Sequence, residues 1–211
     1  EYGLMKLRFR AFYRLVFENP LVGALVRFLP GINDLLMLGK AFNHERETRE
    51  DGQPAWDRII IDAPATGHSL TFFKLPKIIM DAVPAGNMHT ESSEMWRLLA
   101  DPERCAIHVV ALPEELPVQE AIELHGKLTQ ELKLPVSTLF LNQVPALPVP
   151  MGFLEKLEDW QVPPTHEGVK ALWTSGRIRL AMAQQARGHH ELMAKLGQPV
   201  IDLPMRYTSP F

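Results

Sequence analysis

Apolar residues recur at helical spacing across 4–17 (Leu4, Leu7, Ala11, Phe12, Leu15, Val16), with Lys6, Arg8, Arg10 and Arg14 falling mostly elsewhere. That pattern predicts a basic amphipathic helix, packed on a core with its charged face in water or docked to a membrane surface or partner. Further helices are predicted over 20–28 and 33–48, and the polar run 49–54, with Gly52 and Pro54, predicts a loop. Three consecutive isoleucines in 58–62 then predict a short buried strand ending on Asp62, followed by a polar, Gly-containing turn. Helices follow over 70–83 and 91–99, separated by Pro84-Ala85-Gly86-Asn87. Beyond them strand and helix alternate: strand 105–112, helix 116–132, strand 136–141, helices near 152–158 and over 174–196, and strand 199–203. Apolar strands alternating with longer helices predict βαβ units, hence an α/β fold with a mostly parallel sheet flanked by helices on both faces.

Composition narrows the class. An apolar content of 46% in 211 residues supports a folded domain with a substantial core. The formal net charge of -3 leaves no electrostatic footprint for a nucleic-acid backbone, so no nucleic-acid partner is expected. The lone Cys105 excludes an internal disulfide and a cysteine zinc clasp, which fits a reducing, cytoplasmic setting. The early apolar run 21–29 is interrupted by Arg27 and stopped by Pro30, far short of the roughly 20 residues a bilayer span needs. Prolines 145, 148, 150, 163 and 164 mark an irregular excursion inside one domain.

Candidate chemistry concentrates at two strand ends. A carboxylate at the C-terminal end of a buried strand lies where open α/β sheets bind ligands, and Asp62 there is suited to hold Mg²⁺ and position a water. Many strands equally end in Asp for solubility or to cap a helix. Gly67 is able to take a positive φ or let a backbone N–H approach a phosphate, and His68 could bond a loop in one nucleotide state and release it in the other. The plainer role for His68 is the start of a helix capped by Thr66 or Ser69. At the second strand end, Asn142 carries both a donor and an acceptor, suited to a base edge or simply to starting a turn. Glu114, Glu115 and Glu120 suit the positive end of a helix dipole. Adjacent His189 and His190 point to different faces of a helix, so a shared ion is not expected.

The segment Asp62-Ala-Pro-Ala-Thr-Gly-His68-Ser69-Leu70, followed by Lys74-Leu75-Pro76, resembles the second switch of the arsenite-pump and tail-anchored-protein-targeting ATPases, the ArsA-like family. Further points follow in the same order: Leu29-Pro30-Gly31-Ile32, Leu112-Pro113-Glu114-Glu115-Leu116 with Glu120, the strand end Asn142-Gln143, and Leu203-Pro204. The resemblance implies a P-loop ATPase of the SIMIBI class, dimeric as a homodimer or paralogue pair, with ATP and Mg²⁺ at the dimer interface. It implies a helical subdomain, about 1–48 and 70–100, that handles a protein client or membrane-associated partner. Asp62 would hold Mg²⁺, Thr66, Gly67 and His68 would sense phosphate, Asn142 would read adenine, and Pro204 and Met205 would pack against the base. On this reading 1–211 is a single ArsA-like ATPase domain, incomplete at its N-terminus, because no Gly-rich phosphate loop with its lysine occurs. Its departures matter too. With Cys105 alone, neither the family's Cys-x-x-Cys zinc staple nor cysteine-bound metalloid is possible. A non-hydrolysing ArsA-like scaffold or apolar-segment binder is the competing expectation.

Overall fold

The computed structural model describes residues 32–146 and 165–206, together with Gly152 and Lys156. The expected helices over 4–17 and 20–28, and most of that near 152–158, lie outside the described residues. The chain divides into two compact units, Glu1–Cys105 and Ala106–Phe211.

The described part of the first unit is helical. Helix α1 spans Ile32–Glu45, α2 Thr66–Ala82 and α3 Asn87–Ala100. Helix α2 packs on α3 through a tight apolar set: Phe72, Phe73, Leu75 and Ile79 on one side, Met88, Met95 and Leu99 on the other, all buried. Phe72 and Phe73 meet edge to face at 5.2 Å, a favourable aromatic geometry. The break between α2 and α3 is made by Pro84 and by Gly86, whose φ of 98° is a left-handed conformation that glycine takes without steric cost. Met88 and Met95 are buried and fill this core.

An electrostatic clasp holds the loop after α1. Trp56 Nε1 donates to Glu47 Oε2 at 2.9 Å, His44 Nδ1 lies 2.9 Å from the same oxygen, and a bridge joins Thr48 to Pro54. Arg46 pairs with Glu91 and Glu94, tying α1 to α3, and Arg104 bonds Glu45. The Trp56 bond, then the His44 bond, holds the Glu47 carboxyl on the acid side of its ordinary range. A depressed carboxyl pKa contributes stability above its unfolded value and loses it as pH falls through the folded value. The Trp56 indole N–H resonance is therefore expected to shift at acid pH, and Glu47→Gln to remove that acid transition.

One expected element is corrected. Residues 58–62 do not form a buried strand: the segment is irregular, unpaired and largely exposed, with Ile60 92% exposed. Isoleucines favour strands because strands bury them against neighbours, and no described strand lies beside these. Ile60→Ser is accordingly expected to change the stability of this chain by no more than about 0.5 kcal/mol, measured by chemical denaturation, where a core strand would lose several times that.

The second unit is α/β. Its sheet has three strands in the order β1-β2-β3, namely Ile107–Ala111, Val136–Val144 and Val200–Pro204, all parallel. Parallel neighbours need crossovers, supplied by α4 (Glu115–Gly126, continued as a π-helical turn Lys127–Glu131) and by α5 (Glu167–Ala194). Helix α4 packs on β1, α5 on β2 and β3, and the two helices touch each other. Their shared core is Val109, Val118, Ala121, Leu128, Leu139, Leu141, Leu180 and Met193. Strand β1 alternates, with Ile107, Val109 and Ala111 buried and His108 and Val110 exposed, so α4 and α5 cover one face of the sheet. The expectation of helices on both faces is met on one face among the described residues. Among these residues, no helix is long and apolar enough to cross a membrane.

Candidate functional site

Asp62 belongs to the first unit, where it is exposed in the irregular segment preceding α2. Thr66, Gly67 and His68 form the first turn of α2 rather than a free polar turn, and His68 N donates to Ala65 O at 2.9 Å. Gly67 is helical and does not use a positive φ, because continuing α2 back to Thr66 satisfies more backbone groups than a separate loop would. Gly67 and His68 are exposed, and the residue at the N-cap is Ala65, which has no side-chain capping bond. A helix N-terminus leaves amide N–H groups unpaired, a fit for an anion.

Nucleotide-bound Mg²⁺ takes one or two protein carboxylates and fills its remaining positions with water and phosphate oxygens. An exposed Asp62 suits that demand. Among the described residues, no group of three or more His, Cys, Asp or Glu is arranged to hold a metal by protein ligands alone.

The second unit brings Asn142, Pro204 and Met205 together. Strands β2 and β3 run in register through Leu139–Val200, Phe140–Ile201 and Leu141–Asp202, and the next pair is Val144–Pro204. Strand β2 thus spends one residue more than β3 over that step, a bulge at Asn142-Gln143. Met205 N donates to Val144 O at 2.8 Å, clamping the chain beyond the bulge. Half-buried Asn142 lies beside the apolar Pro204 and Met205 at the C-terminal rim of a parallel sheet, where α/β folds receive ligands.

The chain is similar to ATPases. It is 35% identical over 118 residues to ATPase BagA of Mycobacterium tuberculosis, and likewise to a Mycobacterium bovis protein named as an ATPase. The matched stretch is 56% of this chain and 34% of each relative, so it spans about a third of the relatives' own length. No family model matches.

Other candidates resolve into structural roles. Glu114 precedes α4 without a capping bond, and Glu115 occupies the first turn, where a carboxylate favours the helix dipole. His190 Nδ1 lies 2.8 Å from Asp202 Oδ1 and ties α5 to β3, whereas the buried Nδ1 of His189 has no hydrogen-bond partner among the described residues. Burial, then the nearby Asp101, raises the Cys105 thiol pKa, which keeps it an un-ionised thiol at neutral pH. A shallow, open depression along the first turns of α5, lined by Glu167, Lys170, Ala171, Thr174 and Ser175, contains none of the expected site residues.

Two features had no signal in the residue pattern. Buried His125 lies with Nε2 2.8 Å from Gln198 Oε1, joining α4 to the approach to β3. Gln143 adopts φ 59°, and its backbone N–H donates to Asn142 Oδ1 at 2.9 Å. Positive φ in a non-glycine residue and a contact 73 residues apart are both products of tertiary assembly.

Proposed function

We propose that this protein binds and hydrolyses ATP with Mg²⁺ as an ArsA-like ATPase, dimerising around nucleotide and coupling its cycle to a protein or membrane-associated partner. The observation that carries the reading is the similarity to mycobacterial ATPases, 35% over 118 residues. It is supported by the grouping of Asn142, Pro204 and Met205 on one sheet rim. In this reading Asn142 bonds the adenine edge, while Pro204 and Met205 cover its apolar face. Asp62 holds Mg²⁺, and the α2 N-terminus, with Thr66, Gly67 and His68, responds to phosphate. Phosphoryl transfer needs charge neutralisation and alignment more than covalent help, which is what one carboxylate, a metal and helix-end amides supply.

A second reading, a non-hydrolysing ArsA-like scaffold or apolar-segment binder, is favoured by the exposure of Ile60. Calorimetric titration of Mg-ATP into the full-length protein, paired with a phosphate-release assay, separates the two. Binding with turnover is expected; binding without turnover supports the scaffold, and no binding overturns both nucleotide roles.

A further inference from the structure

We propose that Glu47 is a positioning residue for the metal-holding carboxylate: by clasping Trp56 it fixes the point from which the irregular segment carrying Asp62 sets out. The inference rests on the reading of Asp62 as the Mg²⁺ ligand and goes beyond it, by naming what holds an exposed, strandless carboxylate in place.

Among the described residues, 58–62 pairs with no strand, and a stretch without a ladder takes its course from its two ends. Downstream, 57–65 enters α2, whose first turn is closed by the His68 and Ser69 N–H groups on Ala65 O at 2.9 and 3.0 Å. Helix α2 is packed on both α1 and α3, so that end is fixed. Upstream, the stretch leaves Trp56, the last residue of a small hairpin. There Arg49 N donates to Gln53 O at 2.8 Å, Ala55 N donates to Glu47 O at 2.8 Å, and Thr48 bridges Pro54. Residues 48–54 are all exposed, so the hairpin buries nothing of its own, and an isolated two-stranded hairpin is marginal in water. The Trp56 indole joins its far end back to α1: it donates to Glu47 Oε2 at 2.9 Å and meets the His44 ring edge to face at 5.5 Å. His44 Nδ1 lies 2.9 Å from the same carboxylate oxygen, so Glu47 is itself held by the last turn of α1. Opening this clasp roughly doubles the free stretch, from 57–65 to 46–65, and loop-closure entropy growing as (3/2)RT ln n lowers the population with Asp62 in place by about threefold. A competent fraction reduced in that way raises the apparent dissociation constant of the ion by the same factor. The complex, once formed, keeps the parental geometry, so the Mg²⁺ requirement moves and kcat does not.

The test follows phosphate release by the full-length protein across a titration of free Mg²⁺ at saturating ATP, with the Trp56 indole N–H resonance read on the same samples. Glu47→Ala is expected to displace that resonance and to raise the half-saturating Mg²⁺ concentration by about threefold, with kcat unchanged. Glu47→Gln keeps an oxygen for the indole N–H and is expected to restore the parental Mg²⁺ dependence. Glu45→Ala cuts the pair with Arg104 at the end of α1 without touching the clasp, and is expected to leave the Mg²⁺ dependence unaltered. Should Glu47→Ala not fold, Trp56→Phe carries the same expected rise in half-saturating Mg²⁺, since it keeps an aromatic ring beside His44 and loses the indole N–H. A displaced resonance with parental Mg²⁺ dependence in Glu47→Ala overturns the inference and leaves the ATP reading standing. An equal rise in Glu45→Ala does the same, because it would assign the effect to a general loosening of α1. Absence of turnover in the unaltered protein, or parental kcat in Asp62→Ala, removes the reading beneath the inference, and the inference with it.

Discussion

Asp62→Ala is expected to abolish ATP turnover while leaving the fold intact. The carboxylate is exposed in an irregular segment, outside the sheet and outside every described helix, so its loss removes no core contact. Stability should therefore remain within about 0.5 kcal/mol of the parent, the usual range for surface substitutions. Turnover is a different matter. If Asp62 holds the metal that neutralises charge developing on the phosphates, its removal should lower kcat by about 100-fold or more, the scale typical of losing one preorganised electrostatic contact in a phosphoryl-transfer or acyl-transfer site. Steady-state phosphate release across a Mg²⁺ titration, alongside thermal melting of the same sample, supplies both readouts. A variant with parental kcat would remove Asp62 from the chemistry.

Leu139→Ala is expected to have the largest effect on stability. Leu139 is fully buried in β2, the central strand, where it pairs with Val109 of β1 on one side and Val200 of β3 on the other. Deleting its side chain removes buried apolar area and leaves a cavity that two flanking strands and the overlying helices cannot fill, at a cost of about 2–5 kcal/mol. Val110→Ala, one position along β1 on the exposed face, should cost far less, since Val110 is already 56% exposed. Urea denaturation of both variants measures the contrast. Equal midpoints for the two would mean that the covered face of the sheet is not the core of this unit.

The second unit was readable in advance because its patterns are local and long. Strands at 107–111, 136–144 and 200–204 fall on the apolar runs expected at 105–112, 136–141 and 199–203, and α4 and α5 fill the intervals between them. The α/β class follows from that alternation alone. Helices α2 and α3 were equally legible from their apolar spacing and from the Pro84 to Asn87 break.

The Ile59 to Ile61 segment shows the opposite case. Three β-branched residues satisfy every local criterion for a strand, yet a strand exists only through its neighbours, and here Ile59 and Ile60 are exposed to water. The turn expected at Pro64 to His68 was misjudged for a related reason: Thr66, Gly67 and His68 lie within reach of helix propagation from α2, which absorbs them into its first turn. Gly67 is informative only when something forces a positive φ, and nothing local does. His44, Glu47 and Trp56 are spaced without periodicity and meet because a loop folds back on α1.

The candidate adenine rim was legible in part. Asn142 was expected to close a strand at 136–141, whereas β2 continues through it to Val144; Pro204 and Met205 were expected near the end of another strand and lie at the end of β3 and just beyond it. Their adjacency required the pairing of β2 with β3, two segments separated in sequence by an entire helix. The positive φ of Gln143 had no signal in the sequence, since it is a backbone angle at an irregularity in the pairing of β2 with β3.

By itself, then, the order of residues determined the type and sequence of the elements, the apolar faces they bury and the residue types available for chemistry, because propensity and periodicity act over one or two turns of chain. Tertiary structure alone decided that the isoleucine segment stays irregular and largely exposed, and that a one-residue bulge falls at Asn142-Gln143, between the Leu141–Asp202 and Val144–Pro204 pairs. Those outcomes depend on which distant segments supply hydrogen bonds and contact surface, and such partners are chosen by the assembled fold.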